Sequence, residues 1–175
     1  MVATLRPTTL FGPRNKQISM IDDYMFIPKK TIDETLSQET SAGKRQLEPL
    51  KSLATTHHLP IQILEDTKVH NDVEVHRHEG DLWVCLSGEV EFVVGGALVD
   101  PWAKQLENGA VDDRELKSKT LKGGATHTLR EGDILWIPAG QPHLHRTDGT
   151  ARLYIIKIPS LTTVPLDEIQ GWLHT

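Results

Sequence analysis

From Ile61 onward the chain alternates apolar and polar residues with a period of two. Val73 and Val75 stand against Asp72, Glu74 and His76, so one face of that segment is apolar and the other is polar. Ile61–Leu64 and Val69–His76 read as strands. In the next segment Trp83 and Cys85 share a face with Asp81, while Leu82, Val84 and Leu86 take the opposite one. A strand apolar on both sides has to be covered on both sides, inside a sandwich or a barrel with something packed outside it. Ser87-Gly88 is a turn, and Glu89–Val94 returns as a hairpin partner. Thr126–Leu129, Ile134–Ile137, a strand opened by His143-Leu144-His145, and Arg152–Ile158 continue the pattern. About eight short strands at close spacing, with no helices alternating between them, predict an all-β barrel or jelly roll.

The flanks read differently. Residues 1–30 scatter apolar side chains among Pro7, Gly12, Pro13 and Pro28, which predicts an extended arm resting on a sheet face or on a partner subunit. Thr31 with Glu34 has capping-box spacing and predicts a short helix, and a second helical piece is expected around Arg45–Ala54, with Pro49 near its first turn. Residues 97–124, rich in charge, read as a long connection serving as a lid, rim or interface. Leu166, Ile169 and Leu173 fall on one helical face and predict a short helix from Pro165. The expected organisation is an N-terminal arm with short helical pieces over 1–55, a barrel over 56–160 and a C-terminal helix over 161–175.

Composition narrows the function classes. A chain of 175 residues fits one domain, and 38% hydrophobic with 5% aromatic residues implies a small core. The net charge of −5 comes from well-mixed signs and offers no basic stripe for nucleic acid. Cys85, the one cysteine, excludes an internal disulfide and reads as a small buried hydrophobe in a reducing compartment. No apolar run reaches membrane-spanning length, so a cytoplasmic location is expected.

The chemistry concentrates at His76-Arg77-His78-Glu79-Gly80-Asp81. Two histidines one residue apart on a strand share a face, and a carboxylate follows closely, so three potential metal ligands can converge from about six residues. A second punctuated segment runs from Gly132 to His143, with Gly132, Pro138 and Gly140 shaping turns. The spacing His76-x-His78-x-x-Asp81-x6-Gly88 resembles the first motif of the cupin superfamily, and Gly132-x5-Pro138-x-Gly140-x-x-His143 resembles the second. The likeness extends over about residues 60–158; residues 1–55 have no counterpart in the motifs.

The resemblance implies a conical cupin-type β-barrel in which His76, His78, Asp81 and His143 bind one divalent metal. The family usually places a Glu after three or four intervening residues, whereas Asp81 follows His78 after two. Asp81, Glu79 or a site of three histidines alone are the alternatives. Thr147 stands where relatives often carry Asn. Such donors suit Fe(II), Mn(II), Ni(II), Zn(II) or Co(II). His145 is a candidate proton shuttle or a donor to a ligand, and Trp83 and Trp136 are candidates for an aromatic substrate wall, against the reading of core residues. His57, His58 and His70 read as surface residues. The expected function is a small metal-dependent enzyme, dioxygenase-like or of isomerase or lyase type, on an oxygen-rich small molecule; the alternative is a binding or sensing barrel. Leu82, Val84, Leu86 and the apolar arm imply a homodimer.

Overall fold

The computed structural model describes residues 24–172. Most of the expected N-terminal arm, and Leu173 of the expected C-terminal helix, lie outside them. Two short helices, α1 (Lys29–Leu36) and α2 (Leu50–His57), flank β1 (Gly43–Gln46). Ten strands make the barrel sheet: β1, β2 (Ile61–His70), β3 (Val73–His76), β4 (Glu79–Ser87), β5 (Glu89–Val94) and, after β6 (Ala97–Val99), β7 (Trp102–Gln105) and β8 (Val111–Ser118); after β9 (Thr120–Lys122) follow β10 (Ala125–Arg130), β11 (Ile134–Ile137) and β12 (His143–Pro159). Strands β6 and β9 form a separate pair.

The 17-residue β12 organises the fold. It pairs antiparallel with β2, β3, β4 and β5, and its register with β2 shifts between Thr147 and Thr150. That bulge lets one strand serve neighbours on several sides of the barrel. Gly88 turns β4 into β5 at φ +78°, where a Cβ would stand 2.0 Å from the Thr150 carbonyl oxygen. Only glycine combines that conformation with that approach.

Inside, Trp83, Cys85, Phe92, Leu129, Ile137, Leu153 and Ile155 form the main core, each side chain contributing roughly 1.5–3 kcal/mol by burial. Burial also pushes the Cys85 thiol pKa up. The expected alternation along β4 is present: Trp83 and Cys85 are buried, and Leu82, Val84 and Leu86 are half-buried on the other side. There Leu86 and Tyr154 pack against Leu47, Leu50, Ile63, Ile27, Ile32 and Leu36, so α1, α2 and the residue before Pro28 cover part of the outer sheet face.

Four expectations need correction. Helix α1 begins after Pro28 rather than at Thr31, and no side chain caps it; Thr31 instead accepts a bond from Thr35 Oγ1 through its carbonyl. Strand β1 belongs to the barrel sheet, pairing Gly43–Gln46 with Leu64–Thr67, although it lies in the stretch read as arm. Residues 97–124 are mostly strand, because Leu116 and Leu98 bury beside Val73 and Val75. The C-terminal segment is a single 3-10 turn, Leu166–Glu168, since Gly171 at φ +86° turns the chain while Ile169 anchors it in that same cluster.

A buried ionic node ties α1 to the barrel. Glu65 is fully buried and accepts bonds from Arg152 Nε (2.8 Å), Arg45 Nε (2.9 Å) and the Ser41 amide (3.1 Å). Arg152 also donates to the carbonyls of Leu36 and Gln38 at the end of α1. Burial alone would raise the Glu65 pKa, but these donors outweigh it and hold it below its ordinary value.

Candidate metal centre

Strand β3 delivers Glu74 and His76 to one face, two residues apart, and β12 sets His143 directly opposite Glu74. The Gly140 amide donates to the His76 carbonyl at 2.8 Å, which fastens the turn before His143 to the end of β3. Gly140 holds φ +83°, and a Cβ there would come within 3.0 Å of the Val164 side chain. Asp81, near the start of β4, is 1% exposed.

The donor atoms face one another. Asp81 Oδ2 is 3.6 Å from both His76 Nε2 and His143 Nε2, and Glu74 Oε2 is 3.6 Å from His76 Nε2. The two imidazole centroids are 5.5 Å apart. Among the described residues, Glu74, His76 and His143 form a group whose ligand atoms all lie within 4.8 Å of one another. His76 Nε2, His143 Nε2 and Asp81 Oδ2 are all buried without a hydrogen-bond partner. The His143 tautomer follows from its other nitrogen: Nδ1 lies 3.0 Å from the Gln141 carbonyl oxygen, which can only accept, so Nδ1 carries the proton and Nε2 presents a lone pair. Burial pushes the His143 pKa down to about 4, while the Gln141 carbonyl and Asp81 act in the opposite sense, so the ring is neutral at pH 7. A neutral Nε2 facing a carboxylate oxygen is two acceptors without a donor. A cation between them satisfies both, and the residues present fit a divalent metal.

Ammonium groups hold the outer oxygens. Lys157 donates to Asp81 Oδ1 at 2.8 Å, and Lys117 to Glu74 Oε1 at 2.6 Å. Burial by itself would raise the Glu74 pKa, but the His76 ring and Lys117 overcome it and hold the carboxyl well below the usual carboxylate range.

Of the residues singled out by sequence, His76, Asp81 and His143 come together. His78 is outside the group of Glu74, His76 and His143 and lies in the bend that follows the end of β3 at His76. Between His76 and His78, Arg77 is buried and donates to the carbonyls of Val164 (2.7 Å) and Asp113 (2.8 Å). His78 is 34% exposed, with Nε2 3.5 Å from Glu79. Glu79 in turn lies 3.5 Å from Lys157, so Asp81 is the carboxylate brought to the histidines.

His145 is deeper in the barrel. Its Nε2 is 2.7 Å from Asp66 Oδ2 and 2.8 Å from Asn71 Nδ2, and its ring packs between Trp83 and Phe92 at 5.0 and 5.2 Å. Trp83 is core. Trp136 is 47% exposed on β11, with its ring over Gly80, and builds no wall in the interior. Thr147 donates to the Glu89 carbonyl at 2.8 Å. His57, His58 and His70 are exposed. Glu74 is the group's member that sequence reading passed over as a candidate, although it stands two residues before His76 on the same polar face.

Both motif segments thus meet at one point inside one antiparallel barrel. The fold is an all-β barrel. No protein-family model matches the chain, and no curated protein is recognisably related to it. Among solved structures the chain is similar to the CENP-C cupin domain of Drosophila melanogaster (12% identity, TM-score 0.41, 59% of this chain and 60% of that one). It is also similar to hydroquinone 1,2-dioxygenase from Sphingomonas sp. TTNP3 with 4-hydroxybenzoate bound (17%, TM-score 0.40, 64% and 63%). A third is BH2720 from Bacillus halodurans (18%, TM-score 0.44, 82% and 88%). The chain spans less than two thirds of the first two proteins, and at these identities the likeness concerns the fold alone. Among the described residues of this barrel, no helix is long and apolar enough to cross a membrane.

Proposed function

We propose that this cupin barrel holds one divalent transition metal on His76, His143 and Asp81, with Glu74 beside them, and works as a small metal-dependent enzyme on an oxygen-rich small molecule. The observation that carries the reading is the convergence of three buried polar atoms without hydrogen-bond partners, with Asp81 Oδ2 3.6 Å from both His76 Nε2 and His143 Nε2. Buried polar atoms without partners are rare, and three gathered around one carboxylate oxygen suit a bound cation. A bound metal supplies a Lewis acid with positions open to an oxygen ligand. The chain's residues position it, keep His143 neutral and hold the carboxylates through Lys157 and Lys117.

Metal analysis after anaerobic reconstitution with Fe(II), Mn(II), Ni(II), Co(II) or Zn(II) tests the first half. One equivalent bound in wild type and none in His143→Ala is expected; no metal at neutral pH overturns the reading. Oxygen-uptake screening of the Fe(II) form across organic acids and thiols separates oxygenase from isomerase or lyase chemistry. The same ammonium groups support a second reading, a barrel that binds a small molecule without turning it over, because Lys157 and Lys117 already neutralise both carboxylates. Retention of an unchanged small molecule through purification, with no metal, favours that reading.

The proposal includes a cytoplasmic homodimer. Ile134 (65% exposed) and Trp136 (47%) lie on β11, cross-strand from half-buried Val84 and Leu82. Such an apolar strip suits a two-fold interface. A monomeric mass by light scattering overturns it.

A further inference from the structure

The interior face around Glu74 continues outward into a cavity of about 590 Å³. Register builds its wall: Lys117 pairs with Glu74 across β3 and β8, and Trp102 pairs with Lys117 across β8 and β7, so the three share a face. Lys104, on β7, and Lys44, cross-strand from Asp66 on β1, complete the cationic side. In a chain of net charge −5 this wall is the exception.

Its carboxylates are already engaged. Glu74 is held by Lys117, Glu115 by Lys104 and Lys117, and Asp72 by Lys119 at 2.8 Å. Lys44, exposed on the wall, has no ion-pair partner among the described residues. Among the residues lining the cavity, three lysines, Lys44, Lys104 and Lys117, stand against two carboxylates, Glu74 and Asp72, before any metal adds its charge. Trp102, 38% exposed, offers a flat apolar surface in the same cavity. Ammonium groups beside an aromatic face, next to candidate metal ligands, match a small molecule with a carboxylate at one end and a flat carbon skeleton at the other.

We propose that this cavity selects small carboxylic acids, Lys44 and Lys104 holding the carboxylate while Trp102 packs on the skeleton. The inference rests on the reading of the barrel as a small-molecule site and names the substrate class.

The test uses phenylacetate and its neutral counterpart phenylacetamide as probes, added to the whole chain in EDTA and again with Zn(II). Binding is followed at the Trp102 indole N–H resonance, assigned by its loss in Trp102→Phe. Phenylacetate is expected to bind about tenfold more tightly than phenylacetamide. Lys44→Gln and Lys104→Gln each erase most of that preference, and Lys44→Arg keeps it. Equal binding of the two probes, no shift at Trp102, or a preference unchanged in both Gln variants overturns the assignment. Zinc titration of the same samples separates the two readings. A preference that persists in protein unable to bind zinc leaves the lysine wall standing and removes the metal reading; zinc binding with no preference does the reverse.

Discussion

Asp81→Asn tests the metal centre most sharply, because it changes one atom's chemistry at nearly constant shape. In the wild type without metal, Asp81 Oδ2 and His143 Nε2 are both acceptors, 3.6 Å apart and without partners. Each such buried group costs about 1–3 kcal/mol. An Asn amide placed there donates to Nε2 and removes that penalty, while the ion pair of Asp81 with Lys157 is lost. Lys157 keeps Glu79 at 3.5 Å, so the loss is of similar size, and in EDTA the variant's Tm should stay near wild type. Metal reverses the comparison. Zn(II) at about 100 times its Kd adds roughly 2.7 kcal/mol to the wild type, or about 5–11 °C for a chain of this length. The Asn variant has lost the anionic ligand and should gain almost none of it. Differential scanning fluorimetry with EDTA and with graded Zn(II) reads both effects. An undiminished zinc increment in Asp81→Asn, or a variant that unfolds far below wild type in EDTA, would refute the reasoning.

Other substitutions separate the remaining roles. His76→Ala should abolish stoichiometric zinc binding, whereas His78→Ala, on the half-buried bend, should retain it; equal loss in both, by equilibrium dialysis, would return His78 to the ligand set. Glu65→Gln leaves two arginines facing an uncharged amide in a fully buried position and should destabilise by about 3–5 kcal/mol in urea denaturation, uncoupling α1 first. In metal-free protein the lowered His143 pKa gives a defined pH slope. The folded value of about 4 lies below the unfolded value near 6.5, so this stability is fully present above pH 6.5 and is lost as pH falls towards 4. The integrated loss is about 3 kcal/mol, and urea midpoints of wild type minus His143→Gln across that range should show it. A flat difference would mean that the ring is not held neutral by burial.

The legible parts of this fold were those written in local chemistry. Period-two alternation marked β3 and β4, and the glycines and prolines between Gly132 and His143 marked turns, because each requires a particular backbone shape. The parts missed were decided by distant partners. Nothing in the run of charges from 97 to 124 announced β8, whose place depends on Leu116 finding Val73 and Val75. Gly43–Gln46 looked like arm running into a helical piece because a strand of one glycine and three polar residues is defined only by its neighbour β2.

The site shows the same division. An alternation rule holds only while the strand lasts, and β3 lasts as far as His76. Beyond it the chain bends at residues 77–78, where Arg77 bonds carbonyls about 36 and 87 residues away in sequence. Reading the rule forward therefore placed His78 on a face that the strand never reaches. Reading it backward from His76 passes through Val75 to Glu74, still inside the strand, where the rule is valid. The same two-residue spacing thus points to Glu74 on the N-terminal side and loses its meaning on the C-terminal side.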